Sequence, residues 1–134
     1  MGKIIAIIEK SEDGGYGIHT PNVNGLFGYG LTEDEAKESL QEALDSQLEY
    51  FDETGKEIPE LLKGEITFEY KYDLSAFFKS FPFINVSAFA KEVGINPSLM
   101  RKYKERLAFA GDKQKAIIQN RFNDIIKKLS TVQF

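Results

Sequence analysis

Hydrophobic and polar residues near the start of the chain follow the periods expected of short strands. Residues 3–10 contain a continuous apolar run that is too short for a helix, which predicts a buried strand. A turn with two glycines precedes residues 16–20, where alternation predicts the second strand of a hairpin. Residues 26–31 predict a third strand, in which Gly28 and Gly30 let the backbone bend or approach a neighbour closely.

The pattern then changes to the period of a helix. Thr32 and Glu35 form a capping box, in which each side chain accepts a hydrogen bond from a backbone N–H group at the helix start. Gly55 is a suitable end for this helix. Its apolar face consists of Ala36, Leu40, Ala43, Leu44, Leu48 and Phe51. Its other side carries four acidic residues, Glu38, Glu42, Asp45 and Glu49.

Strict alternation over residues 65–72 predicts a fourth, half-buried strand. The order strand, strand, strand, helix, strand predicts a small α+β domain in which one helix covers an antiparallel sheet. Three carboxylates, Glu65, Glu69 and Asp73, share one face of the fourth strand. We interpret that face as the solvated side of the sheet rather than as a metal site.

The second half of the chain shows no further strand pattern and predicts an all-α domain. Residues 74–81 predict a short helix or turn, and residues 87–93 predict another short helix. Asn96 as N-cap and Pro97 as first helical residue predict a helix that continues to about residue 107. A last helix over residues 113–129 carries an apolar stripe, Ile117, Ile118, Phe122, Ile125, Ile126 and Leu129.

Residues 86–105 match the spacing of a helix-turn-helix. This motif needs a small residue where its helices cross and, four positions later, a left-handed turn residue that is usually Gly. Ala90 and Gly94 fill these two positions. The apolar positions that pin the second helix over the first are Phe89, Val93, Ile95, Met100 and Tyr103. An ordinary helical hairpin is the alternative interpretation.

The second helix of such a motif enters the major groove of DNA with its N-terminal residues leading. Candidate base contacts are Asn96, Ser98, Arg101, Lys102 and Glu105. Candidate phosphate contacts are Lys91, Lys104, Arg106, Lys113 and Lys115. One small motif rarely binds a sequence specifically on its own, so we predict a homodimer or higher oligomer on a palindrome. The last helix and the tail at residues 132–134 are a candidate interface, although core packing explains their apolar residues equally well.

The net charges of the two halves of the chain have opposite signs, which adds a functional distinction to the predicted division into two domains. Residues 1–73 contain 6 Lys and Arg against 17 Asp and Glu, a net charge of −11. Residues 74–134 contain 11 Lys and Arg against 4 Asp and Glu, a net charge of +7. We therefore predict two domains, 1–73 and 74–134, with opposite partners. The basic domain suits nucleic acid, and the acidic domain suits a basic protein.

Composition limits the chemistry that the chain can perform. The absence of Cys excludes disulfides, thiolate zinc sites and Cys nucleophiles. The apolar run near the N-terminus is too short for a signal peptide or a membrane span, so we expect a cytoplasmic protein. His19 is the only histidine and is interpreted as a strand-face residue. We predict no catalytic residues, no metal, no cofactor and no enzymatic activity.

Several motifs in the first half, taken in order, resemble those of the HicB antitoxin family. They are Asp13-Gly14-Gly15-Tyr16, then Pro21 and Gly25, then Gly30-Leu31-Thr32-Glu33-Asp34-Glu35-Ala36. The resemblance covers about residues 4–73, with Asn24 where a second Pro is common and Leu31 where an acidic residue is common. In the second half, residues 95–101 followed by Tyr103 resemble the helix-turn-helix type of C-terminal segment found in this family, rather than its ribbon-helix-helix type.

The resemblance implies a reduced RNase H-like fold without nuclease activity. It also implies binding and inhibition of a small basic HicA-type toxin that cleaves mRNA, and repression of the protein's own operon by binding operator DNA. The toxin would bind the acidic side of the first helix, at Glu38, Glu42, Asp45 and Glu49. A solvated helix face is the alternative interpretation of these four residues, and a toxin contact is the alternative role of His19. The alternative function is a transcription regulator whose N-terminal domain binds another ligand or protein, and a metal-dependent nuclease is a third hypothesis.

Overall fold

A computed structural model describes residues 2–134, which form four strands and a long helix followed by four shorter helices. The elements of the first half are β1 (Gly2–Lys10), β2 (Tyr16–His19), β3 (Phe27–Gly30), α1 (Glu33–Thr54), a 3-10 turn (Glu60–Leu62) and β4 (Ile66–Tyr72). Those of the second half are α2 (Leu74–Ser80), α3 (Val86–Glu92), α4 (Pro97–Lys104) and α5 (Asp112–Leu129). The α+β class is confirmed, and no helix of the described chain is long and apolar enough to cross a membrane.

The chain forms two compact units, the first ending at Ala76 and the second running from Phe77 to Phe134. The three residues after Asp73 carry no charge, so the units keep the net charges of −11 and +7. The division into independent domains at residues 73 and 74 stays a prediction.

The sheet is mixed, and the prediction of an antiparallel sheet is wrong. Its strand order is β3-β2-β1-β4, with β1 antiparallel to β2 and β2 antiparallel to β3. β4 instead runs parallel to β1, with Gly2 opposite Ile66 and Ile8 opposite Tyr72. The reason is the connection, because α1 crosses one face of the sheet and returns the chain to the edge beside β1 in the same direction. The RNase H-like likeness stays a prediction.

The core of the first unit lies between this sheet and α1. Ile4, Ala6 and Ile8 of β1 are fully buried, because alternate residues of a strand point to the same face. The helix contributes Ala36, Leu40 and Leu44, which are also buried, as the helical period predicted. Other residues of this core are Tyr16, Ile18, Leu26, Leu62 and Ala76.

The helix approaches β3 closely because two residues of that strand have no side chain. A Cβ atom added to Gly28 would lie 2.5 Å from the carbonyl oxygen of Ala36 and 2.9 Å from the backbone nitrogen of Leu40. A Cβ added to Gly30 would lie 2.5 Å from the backbone nitrogen of Ala36. These distances confirm that the two glycines permit a close approach, and they identify α1 as the neighbour.

The second unit is built around a cluster of phenylalanine rings. The ring centroid of Phe77 lies 5.2 Å from that of Phe78, 5.3 Å from that of Phe89 and 5.5 Å from that of Phe122. Edge-to-face and tilted rings at these distances stabilise a core beyond the area that they bury. The cluster joins residues of α2, α3 and α5 and gives these short helices a common core.

We expect Gly28→Ala to lower the free energy of unfolding by about 1–3 kcal/mol or more, because the new methyl group meets helix backbone that cannot rotate away. The matched control is Gly17→Ala in the neighbouring strand, where the added Cβ would meet only the Phe27 ring at an ordinary 3.5 Å. That change should alter stability by less than about 0.5 kcal/mol. Urea unfolding of both variants measures the difference, and equal losses would contradict the importance of this approach.

Two candidate binding surfaces

The four acidic residues predicted on α1 are all exposed and follow one side of the helix. We call this surface, Glu38, Glu42, Asp45 and Glu49, the acidic stripe. Its spacing of four, three and four residues spans roughly 16 Å along the helix axis. Within residues 2–134 none of these carboxylates forms an ion pair, and the side-chain amide of Gln41 donates to Asp45 at 3.0 Å. The stripe therefore presents uncompensated negative charge to solvent.

The only Lys within this helix does not neutralise the stripe. The ammonium group of Lys37 lies 4.6 Å from the ring centroid of Tyr70 on β4, in a cation–π contact. One turn earlier, the hydroxyl of Tyr72 donates to the carboxylate of Glu33 at 2.6 Å. These contacts direct Lys37 and Glu33 toward the sheet, so Lys37 leaves the negative charge of the acidic stripe in place.

Two hydrogen bonds were predicted to cap the start of α1. One forms as predicted, and the other has a different backbone donor. Thr32 Oγ1 accepts a hydrogen bond from the backbone N–H of Glu35 at 3.1 Å, as a capping box requires. The Glu35 carboxylate accepts at 2.9 Å from the N–H of Leu31, one residue before the expected donor. This carboxylate therefore bonds to the residue that directly follows β3.

The Asp13-Gly14-Gly15-Tyr16 hairpin holds its acidic residue by hydrogen bonds. Asp13 accepts at 2.6 Å from the hydroxyl of Tyr29 on β3 and at 3.1 Å from the N–H of Gly15. These two bonds, that from Tyr29 first, lower the pKa of the Asp13 carboxyl below its ordinary value. The motif thus fastens the hairpin turn to the third strand.

The sheet face opposite α1 carries His19 and several carboxylates. His19 Nδ1 lies 2.9 Å from Glu9 Oε1, a diagonal contact between neighbouring strands. This places His19 on the strand face, as predicted. Glu69 is exposed on β4, and Glu65, which is also exposed, directly precedes that strand. Across residues 2–134, no three His, Asp or Glu side chains come together in an arrangement that could hold a metal ion.

The turn between α3 and α4 has the geometry that the sequence predicted. Gly94 adopts a left-handed φ of 77°. The N–H of Ile95 donates to the carbonyl of Ala90 at 2.9 Å, and that of Gly94 donates to the carbonyl of Lys91, which together form a Schellman motif. Asn96 then caps α4 by accepting from the N–H of Ser98 at 2.8 Å. The Schellman motif therefore satisfies backbone groups at the end of α3, and the Asn96 side chain satisfies a backbone N–H at the start of α4.

The predicted crossing residue and all five pinning side chains are buried. Ala90, Val93 and Met100 are fully buried, and Phe89, Ile95 and Tyr103 are exposed by less than a tenth. The predicted base contacts all lie on the exposed side, namely Asn96, Ser98, Arg101, Lys102 and Glu105. Of the predicted phosphate contacts, Lys91, Lys113 and Lys115 are exposed, whereas Lys104 and Arg106 are half-buried. The exposed side of α3 and α4 is therefore polar, and the candidate base contacts on it begin at the N-terminus of α4.

Arg101 is fixed in place by two serines near the starts of α3 and α4. Its guanidinium donates to Ser87 Oγ at 3.0 Å and to Ser98 Oγ at 3.3 Å. Ser87 was not among the predicted site residues, because the contact depends on how the two helices cross and no local pattern encodes it. Ser87 therefore positions a candidate base contact without being one itself.

α4 ends at Lys104, earlier than predicted. Arg106 adopts a left-handed φ of 61°, and its guanidinium lies 5.6 Å from the ring centroid of Phe109. The N–H of Leu107 donates back to the carbonyl of Lys102 at 2.9 Å. A left-handed residue cannot continue a right-handed helix, so the chain turns at Arg106.

The apolar stripe of α5 is only partly packed, and Ile117 near its start is already 38% exposed. Ile118 is buried, and the ring of Phe122 joins the phenylalanine cluster. Toward the end of the helix, Ile126 is 47% exposed and Leu129 is 65% exposed. Core packing therefore accounts for Ile118 and Phe122 but not for the exposed residues of the stripe.

A family model for the HicB-like antitoxin of bacterial toxin–antitoxin systems matches residues 4–121. The chain belongs to the HicB-like antitoxin family. The match includes the acidic stripe of this HicB-like antitoxin as well as α3 and α4, so it extends beyond the first half in which the motifs were recognised. Searches of curated proteins and of solved structures found no significant match. Membership of an antitoxin family implies that this protein has a toxin as its partner.

Tyr72 should make the stability of this HicB-like antitoxin depend on pH in the alkaline range. Burial first, and then the hydrogen bond to Glu33, raise the pKa of Tyr72 from 10.0 to about 12. The neutral phenol therefore contributes stability fully below pH 10, and this contribution is lost as the pH rises toward 12. The free energy of unfolding should fall more steeply over this range in the wild type than in Tyr72→Phe. Parallel pH profiles from urea unfolding would contradict this assignment.

Proposed function

We propose that this antitoxin neutralises a small basic toxin of the HicA type, an mRNA-cleaving ribonuclease, by direct binding through its acidic unit. We also propose that it represses its own operon through its basic unit. The observation that carries the proposal is the separation of charge. One unit has a net charge of −11 and the other +7, and each exposes its charge on a helix whose other face is buried.

The acidic stripe supports the toxin-binding half of the proposal. A basic toxin is attracted to uncompensated carboxylates on a rigid helix, and such attraction raises the rate of association and selects against acidic partners. Because the stripe is exposed, its charges also interact with salt, so the affinity should fall as ionic strength rises.

The α3–α4 pair supports the DNA-binding half of the proposal. The left-handed Gly94, the buried crossing residue Ala90 and the capped start of α4 match the requirements of a helix-turn-helix. In that motif, Arg101 and Lys102 are placed to reach base edges or phosphates. The exposed end of α5, with Ile126 and Leu129, supplies an apolar contact for the homodimer that a palindromic operator requires.

The proposal assigns the protein no enzymatic activity. It is supported by the role of antitoxin that family membership gives the chain. A cleavage assay on RNA and DNA with divalent metals tests this part, and cleavage by the purified protein would contradict it.

Co-purification with the product of the adjacent gene, at several salt concentrations, tests toxin binding directly. We expect Glu42→Gln with Glu49→Gln to weaken toxin binding roughly threefold to tenfold at low salt, because exposed charges act mainly on association. The difference from wild type should disappear at high salt. The matched control, Glu12→Gln with Glu57→Gln, removes two exposed carboxylates that lie outside the stripe. Equal effects of the two pairs would place the toxin elsewhere on the first unit.

Operator binding should depend on the start of α4. We expect Arg101→Ala with Lys102→Ala to weaken operator binding by at least about thirtyfold, because each base or phosphate contact contributes about 1–3 kcal/mol. Toxin inhibition should stay intact, because the substituted residues lie in the other unit.

The matched control for the DNA measurement is Lys3→Ala with Lys63→Ala, which removes the same charge at two exposed residues of the other unit. It should lower nonspecific affinity slightly and keep operator specificity. If the α4 variant folds but loses toxin inhibition as well, the assignment of separate functions to the two units is wrong. If no toxin binds but the operator does, the chain is a regulator with another ligand.

A further inference from the structure

Arg101 and Lys102 are neighbours on the exposed side of α4, but their side chains are held differently. The guanidinium of Arg101 donates to Ser87 Oγ at 3.0 Å and to Ser98 Oγ at 3.3 Å. Among residues 2–134, Lys102 forms neither an ion pair nor a side-chain hydrogen bond. One cation is therefore fixed before any ligand binds, and the other is a free charge.

Ser87, rather than Ser98, fixes the direction of the Arg101 side chain. Ser98 lies three residues earlier on α4, so its bond only follows the N-terminal direction that long helical side chains already favour. Ser87 is half-buried on α3 and ties the guanidinium to the neighbouring helix. The hydrogen-bonded turn at Gly94 joins these two helices. The guanidinium is therefore held toward the end of α4 that leads into the major groove in a helix-turn-helix.

The bonds to the two serines leave part of the guanidinium available for DNA. A guanidinium carries five N–H donors, and the serines take one each from Nη1 and Nη2, so three remain. No carboxylate within residues 2–134 forms an ion pair with Arg101. Two adjacent N–H groups match O6 and N7 of guanine, whereas adenine presents a donor beside N7. A fork held in this way suits guanine and no other base.

We propose that Ser87 is a positioning residue that makes Arg101 a reader of guanine, while Lys102 binds phosphate. This inference rests on the proposed binding of operator DNA and adds the base and the residue that selects it. An ammonium group is a point charge without a fork, and phosphate contacts carry no sequence information directly. A side chain that is ordered beforehand loses less freedom on binding and is kept from turning to a phosphate or to another base.

The test uses the full chain and a library of DNA duplexes with a randomised segment, sequenced before and after binding, so the operator need not be known. The wild type should select guanine at one position of each half-site. Arg101→Lys keeps the charge but removes the fork, so it should lower that preference roughly fivefold or more and leave other positions unchanged. Lys102→Ala should weaken binding to all sequences, reduce its salt dependence and leave the guanine preference unchanged.

Ser87→Ala should lower the same guanine preference roughly threefold to tenfold, because Arg101 must then be ordered during binding. Ser87→Thr keeps a hydroxyl and should restore the preference. The matched control is Ser46→Ala, which removes a hydroxyl from an exposed residue of the other unit and should change nothing. An unchanged guanine preference in folded Ser87→Ala would overturn the proposal. Equal losses at every selected position would also overturn it, because Ser87 would then only stabilise the fold.

NMR relaxation of the Arg101 Nε–H group supplies a measurement that needs no DNA. The group should be restricted on the picosecond to nanosecond timescale in the wild type and in Ser87→Thr, and mobile in Ser87→Ala. Equal mobility in the wild type and Ser87→Ala would overturn the proposal. If the wild type binds no duplex, the proposed repression fails and this inference fails with it. If the wild type selects a sequence and both Ser87→Ala and Arg101→Lys keep its guanine preference, only this inference fails.

Discussion

The close approach of α1 to β3 is the contact on which the first unit depends. A helix can lie against the backbone of a strand only where no Cβ atom intervenes, and Gly28 and Gly30 provide that space. At this separation, Ala36, Leu40 and Leu44 of the helix reach the sheet and are buried. The orientation of the helix then fixes its other side. The acidic stripe faces solvent as a consequence of packing on the opposite face, so the core beneath the helix determines the position of the candidate partner surface.

The second unit meets a different constraint, because α2, α3 and α4 span only seven or eight residues each and would not be stable alone. The phenylalanine cluster around Phe77 holds them together, and the turn at Gly94 sets the direction in which α4 leaves α3. The hydrogen bonds of the Schellman motif and the Asn96 cap satisfy the backbone between them. Arg101 can then be held by Ser87 from the neighbouring helix, which orders a long side chain before any ligand arrives.

Signals that act over three or four residues predicted most of the fold and the exposed charges of both surfaces. Thr32, Gly55 and Asn96 marked helix ends correctly because capping is a local interaction. The direction of β4 depends on how a distant helix returns the chain to the sheet, and the prediction there was wrong. The early end of α4 depends on a left-handed Arg106, and non-glycine residues give no reliable signal for that conformation.

Helix α1 also explains why the two edges of the sheet differ. α1 starts three residues after β3, so Glu35 and Ser39 in its first two turns reach the outward N–H groups of that strand. β4 forms the opposite edge, where no strand among residues 2–134 pairs with its outer side. Charged residues commonly guard such an edge, and Glu69 and Lys71 can repel unrelated strands in this way. The β4 edge is therefore guarded by exposed charges, whereas the β3 edge is covered by hydrogen bonds to side chains of α1.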